Sequence, residues 1–73
     1  MMFNPRQFAL RLRKARKRAG LSMKRVHELV YVSQSVICRY EKGSTFPPVE
    51  RLYDLAKLYG VSMDWLCGME DEN

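Results

Sequence analysis

The stretch Leu21–Ser44, LSMKRVHELVYVSQSVICRYEKGS, decides the fold. Its apolar residues fall at Val26, Val30, Val32, Ile37 and Tyr40. The steps from 26 to 30 and from 37 to 40 each follow one face of a helix. The steps between 30, 32 and 37 break that period, so the chain must turn between two short helices. Ser22 and Ser33 each stand at an N-cap position, where a side-chain oxygen accepts from the unpaired amides of a first helical turn. Two helices joined by about 3–4 residues cross steeply, which makes a helix-turn-helix unit. The second of them then presents a polar, partly basic edge of Gln34, Ser35, Cys38 and Arg39. Side chains of these types, on a helix slim enough for a DNA major groove, match the donor and acceptor pattern of base edges.

Upstream, Asn4 and Pro5 read as an N-cap followed by proline at the first helical position. Phe8, Leu12, Ala15 and Ala19 then repeat at helical spacing as one apolar stripe, with Arg6, Arg11, Arg13, Lys14, Arg16, Lys17 and Arg18 on the other faces. Gly20 stops this first helix. Helix two is expected from about Met23 to Leu29 and helix three from Gln34 to Lys42, closed by Gly43. The two prolines of Ser44–Pro48 exclude helix there. Helix four begins near Pro48 with Val49, Leu52, Leu55, Ala56 and Tyr59 on one face and ends at Gly60. Ser62 caps a last short helix, Met63–Cys67, stopped by Gly68, with Asp64 near its positive end. No segment alternates with period two long enough to form a strand. The expected fold is all-α, five short helices around one core.

At 73 residues the chain is near the lower limit for a self-sufficient core, so residues 1–68 are expected to form one domain. Residues 69–73 form an acidic tail expected to fray. No apolar run is long enough for a membrane span, and no apolar segment follows the early basic residues as a signal peptide requires. The cytoplasm is the expected compartment, with Cys38 and Cys67 reduced. Neither cysteine has metal-ligand spacing, and His27 is the single histidine, so no cofactor or metal is expected. Residues 1–42 carry 11 Lys/Arg and 2 Asp/Glu, net +9, while residues 43–73 carry 2 and 6, net −4, which together give +5. A basic half of this kind is the electrostatic footprint of a nucleic-acid binder. There is no nucleophile–base pair and no glycine-rich phosphate loop, which argues against an enzyme and a small-molecule substrate.

With RLRKARKRAGLS, VSQSVICRYEKGS and PPVERLYDLAKLYGVSMDWLCG in this order, the chain resembles the XRE-type, lambda-repressor and Cro-like, helix-turn-helix regulators over about residues 8–68. The resemblance implies a compact five-helix DNA-binding domain with the motif at helices two and three. Position by position, it places base reading on Gln34, Ser35, Cys38 and Arg39. It places phosphate contact on Met23, Lys24, Lys42, Gly43, Ser44 and Thr45. It implies a structural ion pair between Arg16 and Glu41, and a dimer contact through Met63, Trp65 and Leu66 of the last helix. The function it implies is a sequence-specific double-stranded DNA-binding regulator, a repressor bound as a homodimer to a palindromic operator. An antitoxin-type or adaptor module with secondary DNA binding is the alternative. The chain departs from the family at Met23, where glutamine is preferred, at His27, where alanine lies between helices two and three, at Tyr31, where the turn prefers glycine, and at Pro48, which takes the place of a serine cap. His27 is expected to crowd its helix contact. Tyr31 is expected to be strained if the turn needs φ > 0.

Overall fold

The computed structural model describes residues 2–71. Their secondary structure is five helices in chain order: α1 (Pro5–Arg18), α2 (Met23–Val30), α3 (Gln34–Lys42), α4 (Val49–Tyr59) and α5 (Met63–Leu66). Four of the five starts are fixed by the expected side-chain caps. Asn4 Oδ1 accepts from the Gln7 amide at 3.0 Å, and Ser22 Oγ from the Arg25 amide at 3.0 Å. Ser33 Oγ accepts from the Val36 amide at 3.2 Å, and Ser62 Oγ from the Trp65 amide at 2.9 Å. Each such bond satisfies one of the amides a helix start leaves unpaired. Pro48 begins α4 without a side-chain cap bond. The first turn of α4 contains Glu50, whose charge complements the helix dipole there.

The core is built from Phe8, Leu12 and Ala15 of α1, Val26 and Val32 around the turn, Ile37 and Tyr40 of α3, four residues of α4, and Trp65 and Leu66 of α5. Helix α1 is the central element and packs against α3, α4 and α5, while α2 rests on α3. Two ends of the expected apolar stripes lie outside this core. Ala19 is exposed because α1 has ended there, and Val49 is 75% exposed at the first turn of α4.

Two arginines of α1 turn inward. Arg16 donates from Nε to Glu41 Oε2 at 2.7 Å and from Nη2 to Oε1 at 3.0 Å, a bidentate pair locking α1 to α3. Its Nη1 also donates to the Leu21 carbonyl at 2.9 Å, so the same guanidinium holds the connection to α2. Arg11, grouped by the sequence with the outer cations, is buried instead. It lies 4.9 Å over the Trp65 ring and donates to the carbonyls of Trp65 and Glu70. Glu70, in the acidic tail, also accepts from Ser62 Oγ at 3.0 Å, so the beginning of the tail is tied to α1 and α5. Glu72 and Asn73, the remainder of that tail, lie outside the described residues.

The turn between α2 and α3 occupies residues 31–33. Tyr31 adopts φ 57°, ψ 38°, the left-handed conformation that glycine takes at the ends of α3 and α4. Its side chain is 88% exposed. A left-handed residue is what lets the chain reverse within so few residues, and here the sequence supplies it without glycine. His27 does not crowd the helix contact. It is exposed, and its Nδ1–H donates to the Val32 carbonyl at 2.9 Å, bridging the turn.

Candidate nucleic-acid interface

Helix α3 has two unlike sides. Ile37, Tyr40 and Glu41 are buried and fix its position, with the Tyr40 hydroxyl accepting from Arg51 at 3.1 Å and Glu41 held by Arg16. The hydrogen bond to Glu41 raises the Arg16 guanidinium above its ordinary pKa, against the opposing effect of burial. Arg16 therefore stays charged, and its bidentate contact with Glu41 braces the helix from beneath. On the other side Gln34, Ser35 and Arg39 are exposed, and Cys38 is half-buried. Gln34 stands at the first position of the helix, just past the turn. Arg39 lies back along the helix, its Nε 3.5 Å from the Ser35 carbonyl, so its guanidinium leaves only a weak contact when it reaches outward. The four expected base-reading residues thus lie within the first six positions of one helix, three of them exposed.

The expected phosphate-contacting residues frame that helix. Lys24 is exposed on the first turn of α2, and Lys42, Ser44 and Thr45 are exposed at and beyond the end of α3. Gly43 is half-buried with φ 78°, and a Cβ there would stand 3.6 Å from that of Ala9. Met23 does not fit its expected role through its side chain. The thioether packs against the core and has no hydrogen to donate, so only the backbone amide at the start of α2 remains for an anion.

The expected dimer contact needs correction. Leu66 is 0% exposed and Trp65 8%, so both side chains are spent within their own chain and offer a partner almost no surface. Their burial comes from α1 and α4, which close over a helix of only 4 residues. Met63 is half-exposed and packs at the margin of the same cluster with Leu58 and Val61. Nearby, burial raises the Cys67 thiol above its ordinary pKa, and Asp64 adds to the shift, which keeps it in the unreactive protonated form.

Two residues that the sequence left among the outer cations lie beside α3. Arg13 and Lys17 of α1 line one groove together with Met23, Cys38 and Lys42, directly beside α3. A second groove brings Arg6 and Leu10 of α1 to Lys42 and Gly43. Seven cations spread over most faces of α1 hide this arrangement, since no period distinguishes the pair facing α3. The approach of α1 to α3, visible in advance only through the Arg16–Glu41 pair, was the one usable signal.

A helix-turn-helix family model matches residues 12–66. An uncharacterized HTH-type transcriptional regulator of Bacillus subtilis, YobD, is 37% identical over 65 residues, which is 89% of this chain and 58% of YobD. The HTH-type transcriptional regulator ImmR of the same organism is 33% identical over 61 residues, 84% of this chain and 48% of ImmR. The chain therefore spans about half the length of these curated relatives. Among solved structures, the DNA-binding domain of BldD from S. venezulae superposes with a TM-score of 0.74 at 34% identity, covering 86% of this chain and 94% of that domain. The two Bacillus subtilis relatives are named as transcriptional regulators, and the superposed structure is a DNA-binding domain.

Proposed function

This chain belongs to the XRE-type helix-turn-helix family, and we propose that it binds double-stranded DNA in a sequence-specific way and regulates transcription by doing so. The observation that carries the proposal is the two-sidedness of α3. Its inner side is locked by Ile37, Tyr40 and the Arg16–Glu41 pair, while its outer side offers Gln34, Ser35 and Arg39 to a partner. A helix held this rigidly keeps its readers in register, which is what base discrimination requires. Gln34 suits adenine, whose N6 donates to and whose N7 accepts from one side-chain amide together; Arg39 suits guanine O6 and N7. Ser35 fits a base edge or a phosphate, and Cys38 a thymine methyl. Lys24, Lys42, Ser44, Thr45 and the backbone amides at Met23 and Gly43 supply contacts to the phosphates.

The regulator acts in the cytoplasm as a homodimer on a palindromic operator, with half-sites about 34 Å apart. Bound across a promoter it represses by occupancy. With Trp65 and Leu66 inside the core, the dimer contact at this end falls to the partly buried Met63, Leu58 and Val61. Selection from a pool of random duplexes tests the proposal. A two-fold-symmetric enriched motif is expected, and enrichment of no sequence would refute specific binding.

A further inference from the structure

Arg6, Leu10, Arg13 and Lys17 follow one another at steps of four, three and four, so they form one stripe along α1. The stripe is about 16 Å long at 1.5 Å per residue. All four of its residues line grooves shared with the second half of α3. Its beginning faces Lys42 and Gly43, and its end faces Met23, Cys38 and again Lys42. Beneath it lies the buried Arg16–Glu41 pair, whose carboxylate is already neutralised by its own bidentate partner. Among the described residues neither Arg13 nor Lys17 forms an ion pair, and both are exposed. They stand beside the start of α2, where first-turn amides and Lys24 already favour an anion.

From this placement we infer that Arg13 and Lys17 form a second phosphate-binding rail, on α1, beside the recognition helix. The inference rests on the DNA-binding reading above and extends it from the motif to the helix that precedes it. The ligand is the backbone of the strand that flanks the groove occupied by α3. A single strand offers one phosphate about every 3.4 Å of axis, so the stripe is long enough to follow several of them. The contact is to phosphate and not to bases, because the two side chains flank α3 and do not project from it. It contributes affinity and register and leaves the choice of sequence unchanged. The other row of α1 cations is different in kind. Arg11 is buried and Arg18 lies 6.0 Å from the Trp65 ring centroid, so that row serves the joint with α5.

The test is a salt titration of duplex binding by the wild type, R13Q/K17Q, the charge-keeping R13K/K17R, and K14Q/K57Q as a control that removes two cations elsewhere. Two lost phosphate contacts make the slope of log K against log salt shallower by about 1.8 per bound protomer. That change is expected for R13Q/K17Q alone, with R13K/K17R keeping the wild-type slope and the base preference unaltered in every variant. An equal change in K14Q/K57Q means that only net charge matters and overturns the rail. A steep wild-type slope that R13Q/K17Q leaves unchanged also overturns it, while the DNA-binding reading stands. A wild type with no salt-dependent duplex binding overturns both.

Discussion

Replacing Tyr31 by glycine is expected to stabilise the domain. Tyr31 sits at φ 57°, ψ 38°, where a residue with a Cβ pays roughly 1–2 kcal/mol against its own carbonyl. Its ring returns little of this by packing, since the residue is 88% exposed. Its amide bond to the His27 carbonyl, 3.0 Å, involves the backbone alone and survives the change. Against the relief stands the greater freedom of glycine in the unfolded chain, about 0.4–1 kcal/mol. The balance is a gain between nothing and about 1.6 kcal/mol, centred at about 0.8. For a domain of this size that centre corresponds to a rise in Tm of about 3–6 °C. Urea denaturation with a shared m-value, checked by thermal unfolding, measures it. A loss above about 1 kcal/mol would refute the reasoning, because it would mean that the ring of Tyr31 packs in solution or that the left-handed turn costs almost nothing.

Tyr59 is buried, and its hydroxyl has no hydrogen-bond partner among the described residues, so Tyr59→Phe should raise stability by about 1 kcal/mol in the same denaturation assay. Burial, with Glu41 second, raises the Tyr59 pKa above its ordinary value. Stability tied to the neutral phenol is then intact below about pH 10 and lost as pH rises toward the folded-state value, by up to about 1.4 kcal/mol per pH unit. The phenylalanine variant should lose that alkaline limb, and an unchanged pH profile would dismiss the assignment. Leu66→Ala should cost about 2–5 kcal/mol, because Leu66 is fully buried, and the cost should be the same at low and high protein concentration. A cost that grows with protein concentration would return Leu66 to an interface.

Much of this domain was legible in the sequence because its helix ends are written in local chemistry. Asn4, Ser22, Ser33 and Ser62 cap where they stand, and a cap needs only the residues three positions on. At Tyr31 the resemblance marked only a position where glycine is preferred and left the sign of φ open; the structure gives it the left-handed conformation. What the sequence concealed depends on which helix lies against which. Arg11 and Arg13 are two positions apart in a run of cations, yet one is buried under Trp65 and the other borders α3. Leu66 stands in the dimer contact that the resemblance implies, yet α1 and α4 close over it. Met23 stands at the position of a phosphate contact but carries a side chain that belongs to the core. The recognition edge of α3 was read from sequence because Ile37 and Tyr40 fix which side of that helix faces inward.

Competition binding of Gln34→Ala against a panel of single-base variants of the selected operator tests most directly whether α3 reads bases. Gln34 is exposed and remote from the core side of its helix, so the variant should fold as the wild type does. The preferred site should weaken by about 1–3 kcal/mol, with discrimination lost at one base pair in each half-site and retained at the others. Lys42→Ala, run beside it, should weaken preferred and random duplexes alike and lower the salt slope by about 1 per protomer. If Gln34→Ala instead lowered affinity for every duplex equally, Gln34 would be a positioning contact, and the proposal that it reads bases would fail.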